Sequence, residues 1–227
     1  MGNHKAHFYF PENGNSINIQ DQFDATDWKK ANSIELGNNG NLKVKVSGQH
    51  HSNLLYLAFR IDDQSLINDR DRLSICIAPQ NISHPAPENA VLRYDFTFDD
   101  AEGRLFFYQC NNEEYVWQNH FPVPAYIEYK LEKDELFNYW NAVIQIDFSE
   151  LELSGINPKA FALYLKILDY AGAYDFTPHC WPTAVDEDQD NPYYIPPLEL
   201  WGIGCFINNS KLQTIQVTKL LQEARVD

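Results

Sequence analysis

Residues 179–197, HCWPTAVDEDQDNPYYIPP, gather a Trp, two Tyr, four carboxylates, a Cys and four Pro into a stretch that fits neither a regular helix nor a strand. Two chemistries suit such a set. The first is metal binding: Asp186, Asp188 and Asp190 repeat the spacing of the first three ligands of an EF-hand. The sixth position is Asn191 instead of Gly, and the twelfth is Pro197 where a bidentate Glu is required, which excludes an EF-hand. Three carboxylates with backbone carbonyls could still hold calcium in a less regular loop; the alternative is a solvated acidic loop. The second chemistry is stacking. Trp181, Tyr193 and Tyr194 are flat rings in a proline-stiffened polar stretch, suited to the C–H face of a sugar while amides, Arg and carboxylates bond its hydroxyls. The alternative is that the same rings cover one end of the fold.

Elsewhere the reactive residues offer less. Asp62, Asp63, Asp69 and Asp71 are interleaved with Arg60, Arg70 and Arg72 in a strand-to-strand connection, a pattern more often of ion pairs and Asx turns than of a metal site. His50 and His51 are neighbours that would point apart, and His179 has no partner identifiable in the sequence. Of the four cysteines, Cys76, Cys110 and Cys205 sit in apolar strand-like runs; no CxxC occurs, so free buried thiols are expected over disulfides or a zinc ribbon. Met1 is the only methionine, which excludes a His/Met haem site. No G-x-S-x-G, H-E-x-x-H or phosphate-cradling glycine loop is present, and a glycosidase-like carboxylate pair is a property of the fold that sequence does not display.

The elements that must position these groups are strands. Period-two alternation runs through nine segments: NLKVKVSG, NLLYLAFRID, RLSICIA, AVLRYDFTF, GRLFFYQC, AYIEYKLE, YWNAVIQID, AFALYLKIL and LWGIGCFI. Short turn clusters separate them, as in sandwiches and unlike βαβ units. Aromatic content of 14% supports two packed sheets, and the fold class expected is an all-β antiparallel sandwich with Phe23 and Trp28 in its core. Helical signals are limited to one capped turn after Asp147 and a short C-terminal helix through Val217, Leu220, Leu221 and Ala224. The stretch from Tyr170 to Glu199 reads as one long irregular loop, of the kind that usually carries function. No linker divides residues 1–227, so a single domain is expected.

With 32 acidic and 17 basic residues the formal charge is −15, which repels phosphate backbones and anionic headgroups, so neither nucleic acid nor a membrane is an expected partner. The N-terminal residues lack an apolar segment of signal-peptide length, and no run is long enough to span a bilayer. As written, the chain is expected to be cytoplasmic; a secreted chain trimmed of its leader would read the same.

FDATDW, LLYLAFRIDD, NDRDRLSICIAP, VLRYDFTF and a Trp-Pro loop closing on ELWGIGCF occur in that order. This succession, over about residues 20–207, resembles the family 9 carbohydrate-binding modules and the wider DOMON-like sandwich group; residues 208–227 form a C-terminal extension. The resemblance implies a non-catalytic module that clasps a terminal sugar between two aromatic rings, with calcium ions supporting the loops. The family's Arg-x-Asn pair is matched by Arg93 and Asp95, its Asn-x-x-Trp by Asn191 and Tyr194, the Gln before that loop by Lys166, and the Trp opening the loop by Trp181. Asn68 stands where the second clasping Trp would be, and Ser74 where a hydroxyl-binding Glu would be, so one ring has no counterpart. The expected ligand-binding residues are therefore Arg93, Asp95, Lys166, Trp181, Asn191, Tyr193 and Tyr194; the metal is left open, with Asp186, Asp188 and Asp190, from their spacing alone, as candidate calcium ligands against a solvated acidic loop. Two other classes remain open: a protein-interaction domain of the same fold, which would show a broad apolar patch, and a glycan-directed enzyme, which would show two facing catalytic groups.

Overall fold

Alternation in the sequence becomes two-sided sheets because successive strand residues point to opposite faces. The computed structural model describes residues 6–20, 26–38, 42–63, 71–80, 91–97, 104–111, 116–120, 123–134, 139–151, 156–170, 175–183, 194–208, 211 and 215. Its strands are β1 (His7–Pro11), β2 (Asn32–Asn38), β3 (Leu42–His51), β4 (Leu54–Asp63), β5 (Arg72–Pro79), β6 (Leu92–Thr97), β7 (Arg104–Asn111), β8 (Val116–His120), β9 (Ile127–Asp134), β10 (Tyr139–Asp147), β11 (Phe161–Tyr170), β12 (Phe176–Trp181) and β13 (Gly202–Ile207). One sheet runs β1-β13-β11-β5-β6-β7-β8, with β12 also paired to β11; the other runs β2-β3-β4-β10-β9. Pairing is antiparallel except between β1 and β13, so the expected antiparallel sandwich carries one parallel edge.

The two sheets face each other through one apolar layer. Leu55, Leu57, Phe59 and Ile61 of β4 and Ala142, Ile144 and Ile146 of β10 meet Leu73, Ile75 and Ile77 of β5 and Leu163, Leu165 and Ile167 of β11. Each such side chain contributes about 1.5–3 kcal/mol by leaving water, so this layer is what holds the sheets in register. Phe10 and Phe161 stack within it at 5.8 Å. The short helix α1 (Phe148–Leu151) begins as expected, with the Asp147 carboxylate accepting from the Ser149 N–H at 2.9 Å.

Two expectations are corrected. Trp28 is buried, but not between the sheets: it joins Ile17, Ile19, Tyr56, Ala58 and Val143 on the outer face of the five-stranded sheet, under the N-terminal segment. Phe23 and the C-terminal helix through Val217, Leu220, Leu221 and Ala224 lie outside the described residues. The stretch from Tyr170 to Glu199 is not all loop, since β12 forms a hairpin with β11 from Tyr170↔Phe176 to Leu165↔Trp181. Cys76, Cys180 and Cys205 are free thiols. No helix among the described residues is long and apolar enough to cross a membrane.

Candidate functional site

The inner face of β5, β6 and β11 is apolar, so the alternate residues of the same strands define an outer face. Register sets Lys166 opposite Ser74 and Ser74 opposite Asp95, a straight polar row across three strands. Arg93 lies two residues before Asp95 on the same face, and its Nε donates to Asp95 Oδ1 at 2.8 Å. Arg72 Nη1 lies 3.6 Å from the other oxygen of that carboxylate. These are not solvated groups: Arg93 is 3% exposed, and Asp95, Ser74 and Lys166 are each 1% exposed. Ser74 Oγ is buried with no hydrogen-bond partner among the described residues. An enclosed hydroxyl beside fixed charges is an arrangement that can exchange hydrogen bonds with the hydroxyls of a polar ligand.

Beside the Lys166 end of this row runs the chain from Tyr194 to Trp201. Lys166 Nζ donates to the Tyr194 carbonyl at 2.9 Å, and the indole N–H of Trp201 donates to the Pro196 carbonyl at 2.8 Å. Ile195 and Leu198 pack on a small apolar group that includes Cys76, Tyr164 and Trp201, and Tyr164 and Trp201 are stacked at 5.9 Å. The Tyr164 hydroxyl donates to Cys180 Sγ at 3.0 Å. Burial pushes the Cys76 thiol up to about 12, with Arg93 pulling it down, Asp95 raising it and Lys166 lowering it. The thiol therefore lies within electrostatic reach of the polar row.

Of the residues expected to bind ligand, the structure brings Arg93, Asp95, Lys166 and Tyr194 together. Trp181 does not join them. It ends β12 opposite Leu165, whose side chain lies in the core, and its ring meets Phe8 edge-on at 5.7 Å. A Cβ on Gly202 would sit 2.6 Å from the Trp181 ring, so a glycine is required there for the ring to close the core. Trp181 is thus a packing residue on the opposite face of the sheet from Lys166. Asn191, Tyr193, Asn68, Asp186, Asp188 and Asp190 lie outside the described residues.

A second cluster appears where the core ends. Asp63 closes β4, Asp71 precedes β5, and Asp169 lies on β11; one carboxylate oxygen from each falls within 4.8 Å of the others. The Tyr170 N–H donates to Asp71 Oδ1 at 3.0 Å. His179, against Gly37, lies near this group; burial lowers its pKa, while Asp169 and Asp63 oppose that shift. Three oxygens at this separation suit a hard cation such as calcium. Asp63 and Asp71 were visible in the sequence, but Asp169 was not connected to them. The signal was its parity: Leu165, Ile167 and Asp169 share one face, so a carboxylate occupies a core position. His50 and His51 serve the fold, with ring nitrogens near the Ile207 and Asn13 carbonyls at 3.2 and 2.9 Å.

The fold is that of the family 9 carbohydrate-binding modules. No family model and no curated protein sequence matches the chain. Among solved structures, it is similar to a family 9 carbohydrate-binding module from Caldicellulosiruptor kristjanssonii in complex with glucose, with a TM-score of 0.56 and 11% identity, over 89% of this chain and 96% of that one. The same description holds for the complex of such a module with cellotriose, at TM-score 0.57 and 10% identity, over 89% and 94% of the two chains. At that identity the likeness concerns the fold.

Proposed function

We propose that this chain is a non-catalytic module that binds a carbohydrate, or another small ligand rich in hydroxyls, on the outer face of β5, β6 and β11. The observation that carries the reading is the polar row Lys166–Ser74–Asp95, with Arg93 held to Asp95 and Tyr194 held to Lys166. Arg93, Asp95 and Ser74 bond the hydroxyls, Lys166 positions the Tyr194 backbone, and the Tyr194 ring supplies a stacking surface. The modules of like fold in complex with glucose and cellotriose support the choice of ligand class. Where the core ends, Asp63, Asp71 and Asp169 would hold a calcium ion, whose charge would offset the repulsion among the three carboxylates.

With one ring in place of a clasping pair, affinity is modest, on the order of 0.1–1 mM, or about 4–5.5 kcal/mol. Titration calorimetry with glucose and cellotriose tests this. Saturable heat that is abolished by Tyr194→Ala and strongly reduced by Arg93→Lys, both with native circular dichroism, supports the reading. No heat from a panel of neutral and acidic oligosaccharides contradicts it and favours a protein partner.

A further inference from the structure

Register carries the polar row one strand beyond Lys166. Cys180 of β12 stands opposite Lys166, so the order across four strands is Asp95, Ser74, Lys166, Cys180. The first three are each 1% exposed, whereas Cys180 is half-buried, which makes it the accessible member of the four. Resting on the reading that this row is the ligand site, we propose that Cys180 is a thiol-modification site: a small disulfide or other soft electrophile captured there closes the row to the polar ligand.

The surroundings of the sulfur suit it to that chemistry. The Tyr164 hydroxyl donates to Cys180 Sγ at 3.0 Å. Lys166 is the direct cross-strand neighbour, and the Cβ atoms of such a pair lie about 5 Å apart. A donated O–H and a nearby ammonium both favour the thiolate, the form that attacks an electrophile. The other two described thiols differ. Burial pushes Cys76 up to about 12 and Cys205 up to about 11, so both stay protonated near neutral pH. An independent observation points to a ligand in the same row. Ser74 Oγ, two strands from Cys180, is buried with no hydrogen-bond partner among the described residues, so the row has bonding capacity to offer a group from outside the fold.

In thiol–disulfide exchange the Cys180 thiolate attacks one sulfur of the disulfide. The new S–S bond forms as the old one breaks, and the departing thiolate takes up the proton that Cys180 released. Neighbouring strands are about 4.8 Å apart, so an adduct about that long on Sγ lies across Lys166.

The first experiment needs no sugar. The full chain, native and near neutral pH, is labelled with N-ethylmaleimide, and Cys76, Cys180 and Cys205 are followed by peptide mass spectrometry. Cys180 is expected to react at least about tenfold faster than either of the others. Tyr164→Phe, which keeps the ring and removes the donated O–H, slows Cys180 several-fold while native circular dichroism is retained. Labelling of Cys205 as fast as that of Cys180, or a rate that Tyr164→Phe leaves unchanged, overturns the proposal.

A second arm separates this inference from the functional reading. Treatment with 2-hydroxyethyl disulfide is expected to weaken cellotriose binding at least about tenfold in calorimetry, with recovery after dithiothreitol, and Cys180→Ser removes the sensitivity to the disulfide. Selective labelling of Cys180 with no cellotriose heat from the unmodified chain sinks carbohydrate binding and retains the modification site. Heat that the mixed disulfide at Cys180 leaves unchanged retains carbohydrate binding and overturns the proposal.

Discussion

Arg93 and Asp95 stand two residues apart on β6, and the guanidinium Nε donates to the carboxylate at 2.8 Å with both side chains buried. A strand places i and i+2 on one face, so the pair is built into a single element and does not depend on loop conformation. Burying opposite charges is tolerated when each compensates the other, and costly when one is removed.

Asp95→Ala is therefore expected to lower stability by about 3–5 kcal/mol, because Arg93 loses its carboxylate in a dry environment. Urea denaturation of wild type, Asp95→Ala and Asp95→Asn checks this, with Asn retaining an acceptor and showing the smaller loss. A change below about 1 kcal/mol for the alanine variant would show that the pair is solvated, since exposed ion pairs contribute that little.

Trp181→Ala is expected to destabilise the fold and to leave any sugar response unaltered. The ring fills space between Phe8 and Gly202, so its loss opens a cavity; with Trp181 only half-buried the cost falls toward the lower end of the roughly 3–5 kcal/mol typical of such truncations. Thermal melting and calorimetry on the same variant separate packing from recognition. Normal stability with lost sugar binding would return Trp181 to the ligand site.

Calcium at millimolar concentration is expected to raise the melting temperature relative to a chelator, through the linkage between binding and folding. Asp63, Asp71 and Asp169 supply the oxygens, and Asp169→Asn should remove most of the shift. Equal melting temperatures in calcium and chelator would show that the protein's own donors are sufficient for the three carboxylates.

Strands that alternate were legible, and all nine such segments are strands. Of the four strands outside those segments, β1 and β12 lack that alternation. HFYFP is nearly all apolar and pairs in parallel with β13, almost two hundred residues away in sequence, a relation no local pattern encodes. FTPHCW carries Pro178, and a proline demotes a segment in any strand reading, although at a sheet edge its missing N–H costs no ladder bond. Trp181 was misplaced for the same reason: next to Pro182 and an acidic run it resembles a loop residue, while its pairing with Leu165 makes it a core residue. The polar row was half legible. Arg93, Asp95 and Lys166 stood out as charges within apolar strands, but their alignment through Ser74 depends on inter-strand register, which is fixed by the packed sheets.

The central claim is that ligand meets the outer face of β5, β6 and β11. Amide chemical-shift mapping during titration with cellotriose tests it most directly. The account predicts saturable shifts concentrated at Ser74, Cys76, Arg93, Asp95, Lys166 and residues 194–200, with the outer face of the five-stranded sheet unchanged. Saturable shifts confined to that other sheet, or no shifts at ligand concentrations above about 10 mM, well past the expected dissociation constant, would contradict it.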